Sequence, residues 1–373
     1  MIRILHIVSA MNCGGTENMI MSLLRNIDRE KIQFDFLVNT TKKSFFDDEI
    51  EKLGGRIYYI PRWNGKNTFS YIKKLKSFLK EHPEHNIIHG HIASSSAIYT
   101  EIAKKLKRYV ISHSHNKKGG GKSLKDMLFK LTTYAQRYRS DYLFACSKDA
   151  GIVRFGKNVI NKPNFSVLKN AIDINKYTPD TKLCELTKNK YNIDNKLVIG
   201  HIGRFTEAKN HSFLLEVFSE ITKMNEDSVL ILAGEGECEE QIKTKAKSLN
   251  ILDKIIFTGV LNDINSIINI MDCFVFPSLH EGLGIAVIEA QTHGIPCFIN
   301  KELPQDLYIN KNVYGLSLDK TAKDWAQFII EHAHDKEDYK KSTENINKAG
   351  YNILETAKKL ENFYINVTEE MKK

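Results

Sequence analysis

The stretch Pro277-Ser-Leu-His-Glu-Gly-Leu-Gly-Ile-Ala-Val-Ile-Glu-Ala290 carries more information about the fold than any other part of the chain. It begins where the apolar run Cys273–Pro277 ends, and that run has the composition of a buried strand. A glycine-bearing loop then leads into Ala286–Thr292, which has the composition of a helix. The first N–H groups of a helix have no partner inside it. The stretch therefore predicts a strand, a loop and a helix whose N-terminus can bind an anion such as phosphate.

Two carboxylates belong to the same stretch. Glu281 lies in the loop, and Glu289 follows eight residues later, inside the predicted helix. A carboxylate accepts several hydrogen bonds, so each of the two can hold vicinal hydroxyls of the kind that ribose and hexose carry. The spacing of two glutamates is a weak signal alone, and the surrounding glycine loop makes it informative.

Strand-like and helix-like segments alternate outward from this stretch in both directions. The strands are apolar on both faces, which is typical of a parallel sheet covered by helices on its two sides. The predicted strands are Arg3–Ala10, Phe34–Thr40, Arg56–Pro61, Asn86–His91, Tyr109–His115, Tyr142–Ser147 and Phe165–Leu168, and, after a restart, Leu197–Arg204, Ser228–Gly234, Lys254–Gly259, Cys273–Pro277 and Pro296–Asn300.

This alternation predicts an α/β protein with two Rossmann-like, doubly wound parallel-sheet domains that face each other across a cleft. We assign residues 1–180 to an N-terminal domain and residues 181–355 to a C-terminal domain. The polar stretch Asp173–Asn195 contains Pro179 and has no clear period, so it is predicted to be the linker. Residues 356–373 are predicted to form a helix that packs back on the N-terminal domain.

Composition and charge narrow the class of protein. The chain has 373 residues, 42% of them hydrophobic, and a formal net charge of +9. Residues 1–180 carry 31 Lys and Arg against 16 Asp and Glu, and the remainder carries 23 against 29. The positive charge of the first half is densest over residues 104–139. It indicates an anionic partner, which could be nucleic acid, acidic lipid or a phosphorylated substrate. The alternative is that these lysines and arginines only form solvated helix faces.

The cysteines and the N-terminus indicate a cytoplasmic protein. The six cysteines are scattered and form no C-x-x-C pair, which argues against a disulfide scaffold or a zinc knuckle. The first residues have the pattern of a buried strand and not that of a signal peptide, and no apolar run reaches the length of a membrane span. We therefore expect a soluble, non-secreted protein.

Three further loops are candidate anion sites. Gly14 and Gly15 follow the first predicted strand, where they allow backbone to approach a phosphate closely or simply form a tight turn. Arg204 and Lys209 lie in the loop after strand Leu197–Arg204 and can converge on a diphosphate, unless they are surface charge. The segment Asn116–Ser123 resembles a P-loop but has Asn where that motif needs Gly, which favours a flexible basic loop.

Two His-x-His motifs end neighbouring strands. In His89/His91 and in His113/His115, period-two spacing places both rings of a pair on one face of the sheet. Four imidazoles there are compatible with a zinc site, with sugar, phosphate or acid–base contacts, or with a structural role. No acidic residue or cysteine has ligand-like spacing beside them, and the chain contains no D-x-D pair that would hold a cation–diphosphate. We therefore predict no metal.

These motifs resemble those of the retaining glycosyltransferases of family 4, which have the GT-B fold. The resemblance covers nearly the whole chain. It rests on GGTE, NAID, GRFTEAKN, AGEGE, FTGV and HEGLGIAVIEA, which begin at Gly14, Asn170, Gly203, Ala233, Phe257 and His280. The segments SHSHN at Ser112 and ACSKDAG at Ala145 are similar to those of the subgroup that builds bacterial capsules and exopolysaccharides. Lys169 and Ala171 depart from the Pro and Gly usual in the family's PNGID motif.

The resemblance implies specific roles. Arg204 and Lys209 would neutralise the diphosphate of a nucleotide sugar, together with backbone N–H groups of Gly282, Leu283 and Gly284 and the Gly14–Gly15 loop. Glu281 would hold the transferred sugar and Glu289 the ribose. His115 would contact the sugar near its anomeric carbon, with His113 as the alternative. Gly236, Val260 and Leu261 would line the nucleobase.

The resemblance also implies the reaction. A hexosyl or N-acetylhexosaminyl unit would pass from a UDP-sugar to a glycan or polyprenyl-diphosphate-linked acceptor, without cofactor or metal. The basic charge of residues 1–180 in turn predicts peripheral association with the anionic inner face of the plasma membrane. The alternatives are a GT-B sugar-nucleotide epimerase, a phosphorylase, or a basic nucleic-acid-binding protein. The last would need aromatic residues interleaved with its basic patch. The aromatics near 104–139 suit helix cores equally well, so we expect no nucleic-acid partner.

Overall fold

A computed structural model describes residues 1–12, 14–115, 136–261 and 263–373. The chain divides into two compact units. The N-terminal unit comprises Met1–Ala171 together with Asn352–Lys373, and the C-terminal unit comprises Ile172–Tyr351. The division lies between Ala171 and Ile172, whereas the sequence placed it after residue 180.

The N-terminal unit contains a seven-stranded sheet in the order β3-β2-β1-β4-β5-β6-β7. Every strand pair in it is parallel. The strands are β1 Ile2–Val8, β2 Ile32–Val38, β3 Ile57–Tyr59, β4 Ile87–Gly90, β5 Tyr109–Ser114, β6 Tyr142–Ala145 and β7 Phe165–Val167. The helices described between them are α1 Gly15–Asn26, α2 Asp47–Lys52, α3 Thr68–Glu81, α4 Ser96–Lys105, α5 Gln136–Arg139 and α6 Lys148–Phe155.

The C-terminal unit contains a six-stranded sheet in the order β10-β9-β8-β11-β12-β13, again with every strand pair parallel. Its strands are β8 Leu197–Ile202, β9 Ser228–Ala233, β10 Ile255–Gly259, β11 Cys273–Phe276, β12 Cys297–Asn300 and β13 Val313–Leu316. Its described helices are α7 Thr181–Tyr191, α8 His211–Met224, α9 Glu239–Ser248, α10 Asn265–Ile268, α11 Ile285–Thr292, α12 Ala322–His332 and α13 Tyr339–Lys348.

Both sheets have apolar cores on their two faces, which confirms the prediction of doubly wound α/β domains. In β1, Ile4 and Val8 belong to one core cluster while Leu5 and Ile7 belong to another. Successive side chains of a strand point to opposite faces, so a strand covered on both faces must be apolar throughout. This is why the strands appear in the sequence as continuous apolar runs.

The last helix, α14 Ile353–Glu370, belongs to the N-terminal unit although it is the most distant segment in sequence. Leu360 and Tyr364 are buried in the same core cluster as Met19 and Leu23 of α1. The helix begins where the Asn352 side chain accepts a hydrogen bond from the N–H of Leu354. Such a cap satisfies one of the donors left free at a helix start.

The order of the strands in each sheet indicates where a ligand is expected to bind. In each sheet the first strand lies between the second and the fourth, so the direction in which strands are added reverses beside it. Ligands of open α/β sheets bind beyond the carboxyl ends of the strands at this point. The loops to consider therefore follow β1 and β4 in the N-terminal unit, and β8 and β11 in the C-terminal unit.

The structure also differs from the prediction in the linker and in the segment 313–348. The predicted linker contains helix α7, which starts where the Asp180 side chain accepts from the N–H of Leu183. Among its residues only Thr187 is buried, so the helix has no apolar stripe that would mark it in the sequence. The segment 313–348 contains β13, α12 and α13, which were not predicted. Helix α12 does start with a capping box, Thr321 with Asp324, that the sequence displays.

Within the described ranges, no helix combines the length and the hydrophobicity that crossing a membrane requires. The P-loop-like segment and the basic residues Lys117, Lys118, Lys122, Lys125 and Lys130 lie outside the described residues.

Candidate functional site

Two loops at the carboxyl edge of the C-terminal sheet are fastened to each other. The N–H of Leu279, in the loop after β11, donates to the carbonyl of Ala208, in the loop after β8, at 2.8 Å. The Asn210 side-chain amide donates to the carbonyl of Pro277 at 3.2 Å. Asn210 itself has a left-handed backbone, with φ 56°, at the start of α8. These bonds fix the relative position of the side chains that the two loops carry.

Lys209 and Glu281 form an ion pair across these loops. Lys209 Nζ lies 2.7 Å from Glu281 Oε1, and the two side chains are only 18% and 13% exposed. The ammonium also lies 4.5 Å from the centre of the Phe276 ring, a cation–π contact. A cation and a carboxylate thus stand together at the sheet edge, where the first can meet a phosphate and the second a hydroxyl.

The loop that leads from Glu281 into α11 carries backbone N–H groups that could bind an anion. Gly284 precedes the helix with φ 83° and ψ 54°, a left-handed conformation that a residue with a Cβ rarely adopts. Within the described residues, the N–H groups of Gly282, Leu283 and Gly284 have no hydrogen-bond partner. A side chain at Gly282 would meet nothing within 4 Å, so the loop is open on that side. Free N–H groups at a helix start bind anions.

Glu289 lies on α11 and has one hydrogen-bond partner that the sequence did not reveal. The Tyr177 hydroxyl donates to Glu289 Oε1 at 2.7 Å. Burial raises the pKa of Glu289, and the bond from Tyr177 opposes that rise. Burial and the Glu289 carboxylate together raise the pKa of Tyr177, so the phenol stays protonated and donates. The carboxylate is thus oriented, and its other oxygen remains available to a ligand.

The remaining predicted residues of this unit have different surroundings. Arg204 is 76% exposed, and its guanidinium lies 3.6 Å from the Glu237 carboxylate. A Cβ at Gly236 would collide with the backbone of Phe205, so close packing accounts for the absence of a side chain there. Val260 is exposed and Leu261 partly buried. The structure brings Lys209 and Glu281 into contact and gives Arg204 no contact with either.

In the N-terminal unit, Gly14 caps α1 and Gly15 is its first residue, so the helix begins two residues earlier than predicted in the connection that follows β1. The carboxylate of Glu17 folds back against Gly14. Burial raises the pKa of Glu17, while a bond from its own backbone N–H opposes the rise. A negative group is favoured at a helix N-terminus, and here the chain supplies one of its own.

The histidines of both His-x-His motifs lie in contact at the carboxyl ends of β4 and β5, and His6 of β1 joins them. His91 Nδ1 lies 2.8 Å from His115 Nε2, and His91 Nε2 lies 2.9 Å from His6 Nδ1. His89 Nε2 lies 3.2 Å from His113 Nδ1, and the Tyr364 hydroxyl lies 2.7 Å from His89 Nδ1. Burial lowers the pKa of all five rings, to about 3 for His6 and for His115, so all are neutral at physiological pH.

His113 and His115 differ in accessibility. His113 is fully buried, and its carbonyl accepts from the buried guanidinium of Arg154 at 2.6 Å. Arg154 also donates to the carbonyl of Ile92 and to the side chain of Gln136, which fixes the ends of two strands. His115 remains partly exposed. Of the two residues, His115 is the more exposed.

The sequence missed His6, Tyr177 and Arg154. His6 carried a signal, because it is a polar residue between the apolar residues Leu5 and Ile7 of a predicted strand. Tyr177 and Arg154 carried none, since a tyrosine in a loop and an arginine on a short helix are ordinary surface residues. Their roles depend on contacts with Glu289 and His113, which lie 112 and 41 residues away in the chain.

Comparison with known proteins places both units in families. Residues 13–176 match the family described as Glycosyltransferase Family 4, and residues 185–351 match the family described as Glycosyl transferases group 1. The Bacillus subtilis strain 168 protein named "Putative glycosyltransferase EpsF" is 32% identical over 377 residues, covering 99% of this chain and 97% of that protein.

Two further proteins are similar along nearly the full length. The Escherichia coli UDP-Gal:alpha-D-GlcNAc-diphosphoundecaprenol alpha-1,3-galactosyltransferase is 24% identical, covering 93% of this chain and 95% of that protein. The crystal structure of Anabaena HepE in complex with UDP superimposes with a TM-score of 0.80 at 14% identity, covering 98% of this chain and all of that one. At that identity the structural likeness shows the fold alone.

Proposed function

From the premise that this chain belongs to glycosyltransferase family 4 and has the GT-B fold, we propose that it transfers a hexosyl or N-acetylhexosaminyl unit from a UDP-sugar to a glycan or polyprenyl-diphosphate-linked acceptor. The transfer retains the anomeric configuration, requires no metal and contributes to a surface polysaccharide. The galactosyltransferase of Escherichia coli, whose name contains both a UDP-sugar and a diphosphoundecaprenol acceptor, supports this choice of substrates.

The Lys209–Glu281 pair is the observation that carries the proposal. A diphosphate needs positive charge and N–H donors, and a sugar needs acceptors for its hydroxyls. Lys209 and the N–H groups of Gly282, Leu283 and Gly284 supply the first set, and Glu281 supplies the second. The pair lies at the carboxyl edge beside the central strand, where α/β sheets bind nucleotides.

The reaction is the departure of UDP from the anomeric carbon. The bond between that carbon and the diphosphate oxygen breaks, charge accumulates on the diphosphate, and the sugar becomes oxocarbenium-like. Donors aimed at the leaving oxygens stabilise this charge, which is commonly the largest single contribution to catalysis. Lys209 supplies a partly buried charge for this purpose, and Arg204 supplies a largely exposed one.

Retention follows from attack on the face that UDP leaves. The acceptor hydroxyl forms the new bond on that face, and its proton passes to an oxygen of the departing diphosphate. In this scheme no side chain forms a covalent intermediate. His115 contacts the sugar near the anomeric carbon, and the Gly14–Gly15 loop contacts the diphosphate.

The nucleoside is held by a separate group of residues. Glu289 binds the ribose hydroxyls with the oxygen that Tyr177 leaves free. Gly236, Val260 and Leu261 line the base. Of these, Val260 is an exposed apolar side chain, which a bound base would cover.

We further propose that the enzyme works in the cytoplasm at an anionic membrane. Part of the described basic charge is already engaged, since Lys104 pairs with Asp141 at 2.6 Å and Lys105 with Glu101 at 3.2 Å. Attraction to anionic lipid would therefore depend chiefly on the lysines between 117 and 130. Salt-sensitive co-sedimentation with anionic vesicles, lost on changing Lys117, Lys118, Lys122 and Lys125 to Glu, tests this proposal.

The function is tested by a panel of nucleotide sugars. Thermal shift identifies the donor that binds, and incubation with a polyprenyl-diphosphate-linked saccharide then tests transfer. We expect a UDP-sugar to raise the melting temperature and the product to keep the donor's anomeric configuration by NMR. Epimerisation without an acceptor, or phosphorolysis of a glycan, would assign the site to another reaction.

A further inference from the structure

The five imidazoles of the N-terminal unit form two separate rows. One row runs His6–His91–His115, with ring nitrogens 2.9 Å and 2.8 Å apart. The other runs Tyr364–His89–His113, with separations of 2.7 Å and 3.2 Å. The first row is the one that ends at His115, the ring to which the proposed function assigns a ligand contact.

These separations are those of hydrogen bonds. His6, His89 and His91, and likewise His91, His113 and His115, each have ring nitrogens within 4.8 Å of one another, so a metal is the alternative to consider. Two imidazoles on one tetrahedral zinc, with Zn–N of about 2.0–2.1 Å, have nitrogens about 3.3 Å apart. The 2.8 Å and 2.9 Å separations of the first row are too short for that arrangement and fit N–H···N hydrogen bonds.

Because the rings of the first row are neutral, each has one N–H proton to donate and one nitrogen to accept a hydrogen bond. His91 uses both of its nitrogens within the row. His115 Nε2 is therefore occupied by His91. Within the described residues, His115 Nδ1 and His6 Nε2 are buried and have no hydrogen-bond partner. The two ends of the row are thus the atoms left to interact with anything else.

His6 is the fixed end. Its ring lies 4.3 Å from the centre of the Phe34 ring and 5.5 Å from that of Phe36, and it is almost fully buried. These rings leave His6 Nε2 in apolar surroundings. His115 is the partly exposed end of the row although its Nδ1 is itself buried, so a ligand that reaches the row meets it at the His115 ring.

We propose that His91 is a positioning residue, anchored by His6, that fixes the ring and the tautomer of His115 so that Nδ1 is the atom offered to the donor sugar. This inference rests on the proposed function, which assigns His115 to the sugar. When Nδ1–H donates to a sugar or phosphate oxygen, Nε2 accepts from His91 Nδ1–H, and His91 Nε2 accepts from His6 Nδ1–H. No net proton transfer is involved.

The tautomers are measured by NMR of protein with ¹⁵N-labelled histidine, in which Nδ1–H and Nε2–H rings give different nitrogen shifts. The UDP-sugar that produces the largest thermal shift is added in excess. Wild type should show His6, His91 and His115 as Nδ1–H rings. His91→Phe should change His115 to the Nε2–H form, because Nε2 then has no donor facing it.

Kinetics provide a second measurement. Slow hydrolysis of the same UDP-sugar should fall about 10- to 100-fold in kcat for His91→Phe, with KM within about threefold, because the ring is misplaced while the donor still binds. His82→Phe is the matched control, since His82 is a partly exposed ring of the same unit that pairs with Glu84. It should leave both the kinetics and the His115 signal unchanged.

Variants of His6 test the same inference independently, in case His91→Phe fails to fold. His6→Phe removes the anchor and should reproduce a weaker form of the His91→Phe effects. His6→Asn places an amide where Nδ1 stood and should restore the tautomer of His115 and most of kcat. Melting temperatures by circular dichroism identify any variant that is merely unfolded.

Three results would overturn the inference. The first is an unchanged His115 signal in folded His91→Phe with UDP-sugar bound. The second is an equal loss of kcat in His91→Phe and His82→Phe. The third is stoichiometric Zn²⁺ binding by wild type that His91→Phe abolishes, since the row would then be a metal site. Failure of every nucleotide sugar to bind wild type would instead refute the proposed function.

Discussion

Glu281→Gln should separate sugar recognition from nucleotide binding. The substitution keeps the shape of the side chain and an acceptor oxygen for Lys209, but it removes the negative charge. In the present structure that charge holds Lys209 Nζ at 2.7 Å, in surroundings that leave the two side chains 18% and 13% exposed. Among the described acidic residues, Glu281 is the one that pairs with Lys209 and so competes with a diphosphate for the ammonium group. In the variant, that competition is removed.

The magnitude follows from what Glu281 would contact. A hydrogen bond to a charged group contributes about 1.5–3 kcal/mol, and the low exposure of Glu281 means that little of this is lost to solvent. At about 1.4 kcal/mol for each factor of ten, the rate of sugar transfer should fall about 10- to 150-fold. The dissociation constant of UDP should stay within about threefold or decrease, because Lys209 gains freedom.

The assay combines calorimetric titration of UDP with steady-state transfer by the same preparations. Glu302→Gln is a suitable control, because Glu302 is a 73% exposed glutamate of the same unit, 3.9 Å from Lys301. A loss of UDP affinity as large as the loss of rate would refute the assignment of Glu281 to the sugar. An unchanged rate would remove Glu281 from the site.

Three other outcomes are expected. Glu289→Ala should weaken UDP itself by about 1–3 kcal/mol in calorimetric titration and 2′-deoxy-UDP by less; equal losses for both nucleotides would contradict the ribose contact. Activity should survive prolonged treatment with EDTA. Loss of activity in EDTA that is reversed by adding Mg²⁺ or Mn²⁺ would contradict metal independence. Arg204→Ala and Lys209→Ala should each raise the barrier by about 2–4 kcal/mol in kcat measurements. Only Lys209→Ala should also lower the melting temperature, because it leaves Glu281 partly buried and unpaired; wild-type turnover in either variant would exclude that residue from the site.

The strands other than β13 were predictable because most of them are covered on both faces of a sheet and are therefore apolar throughout. Val198 and Ile199 of β8 are neighbours in sequence but lie in cores on opposite faces, so both must be apolar. The loops after β8 and β11 were predictable for a related reason, since the carboxyl ends of central strands are where such folds bind ligands. Arg204, Lys209 and Glu281 could therefore be chosen as candidates before any geometry was known.

Helix α7 was not predictable from periodicity, because Thr187 is its only buried residue and its start depends on the Asp180 cap. Helix α13 is similar, with only Ser342 and Ile346 buried. A helix that lacks an apolar stripe resembles a polar loop in sequence.

Which side chains pair with each other in the folded protein could not be predicted from the sequence either. Nothing in the spacing of Lys209 and Glu281 indicates that they form a pair, since 72 residues separate them and two loops must be fastened together first. The same holds for the bond from Tyr177 to Glu289. Residue types at strand ends could be predicted, and the partners that orient them could not.

A crystal structure of the protein with UDP would test the central claim most directly. We predict phosphate oxygens within hydrogen-bond distance of Lys209 Nζ and of the N–H groups of Gly282, Leu283 and Gly284, with the ribose hydroxyls on Glu289. Glu281 should then be released from Lys209 and face the place of the sugar. A diphosphate bound elsewhere, with the Lys209–Glu281 pair intact at 2.7 Å, would contradict the assignment of this site.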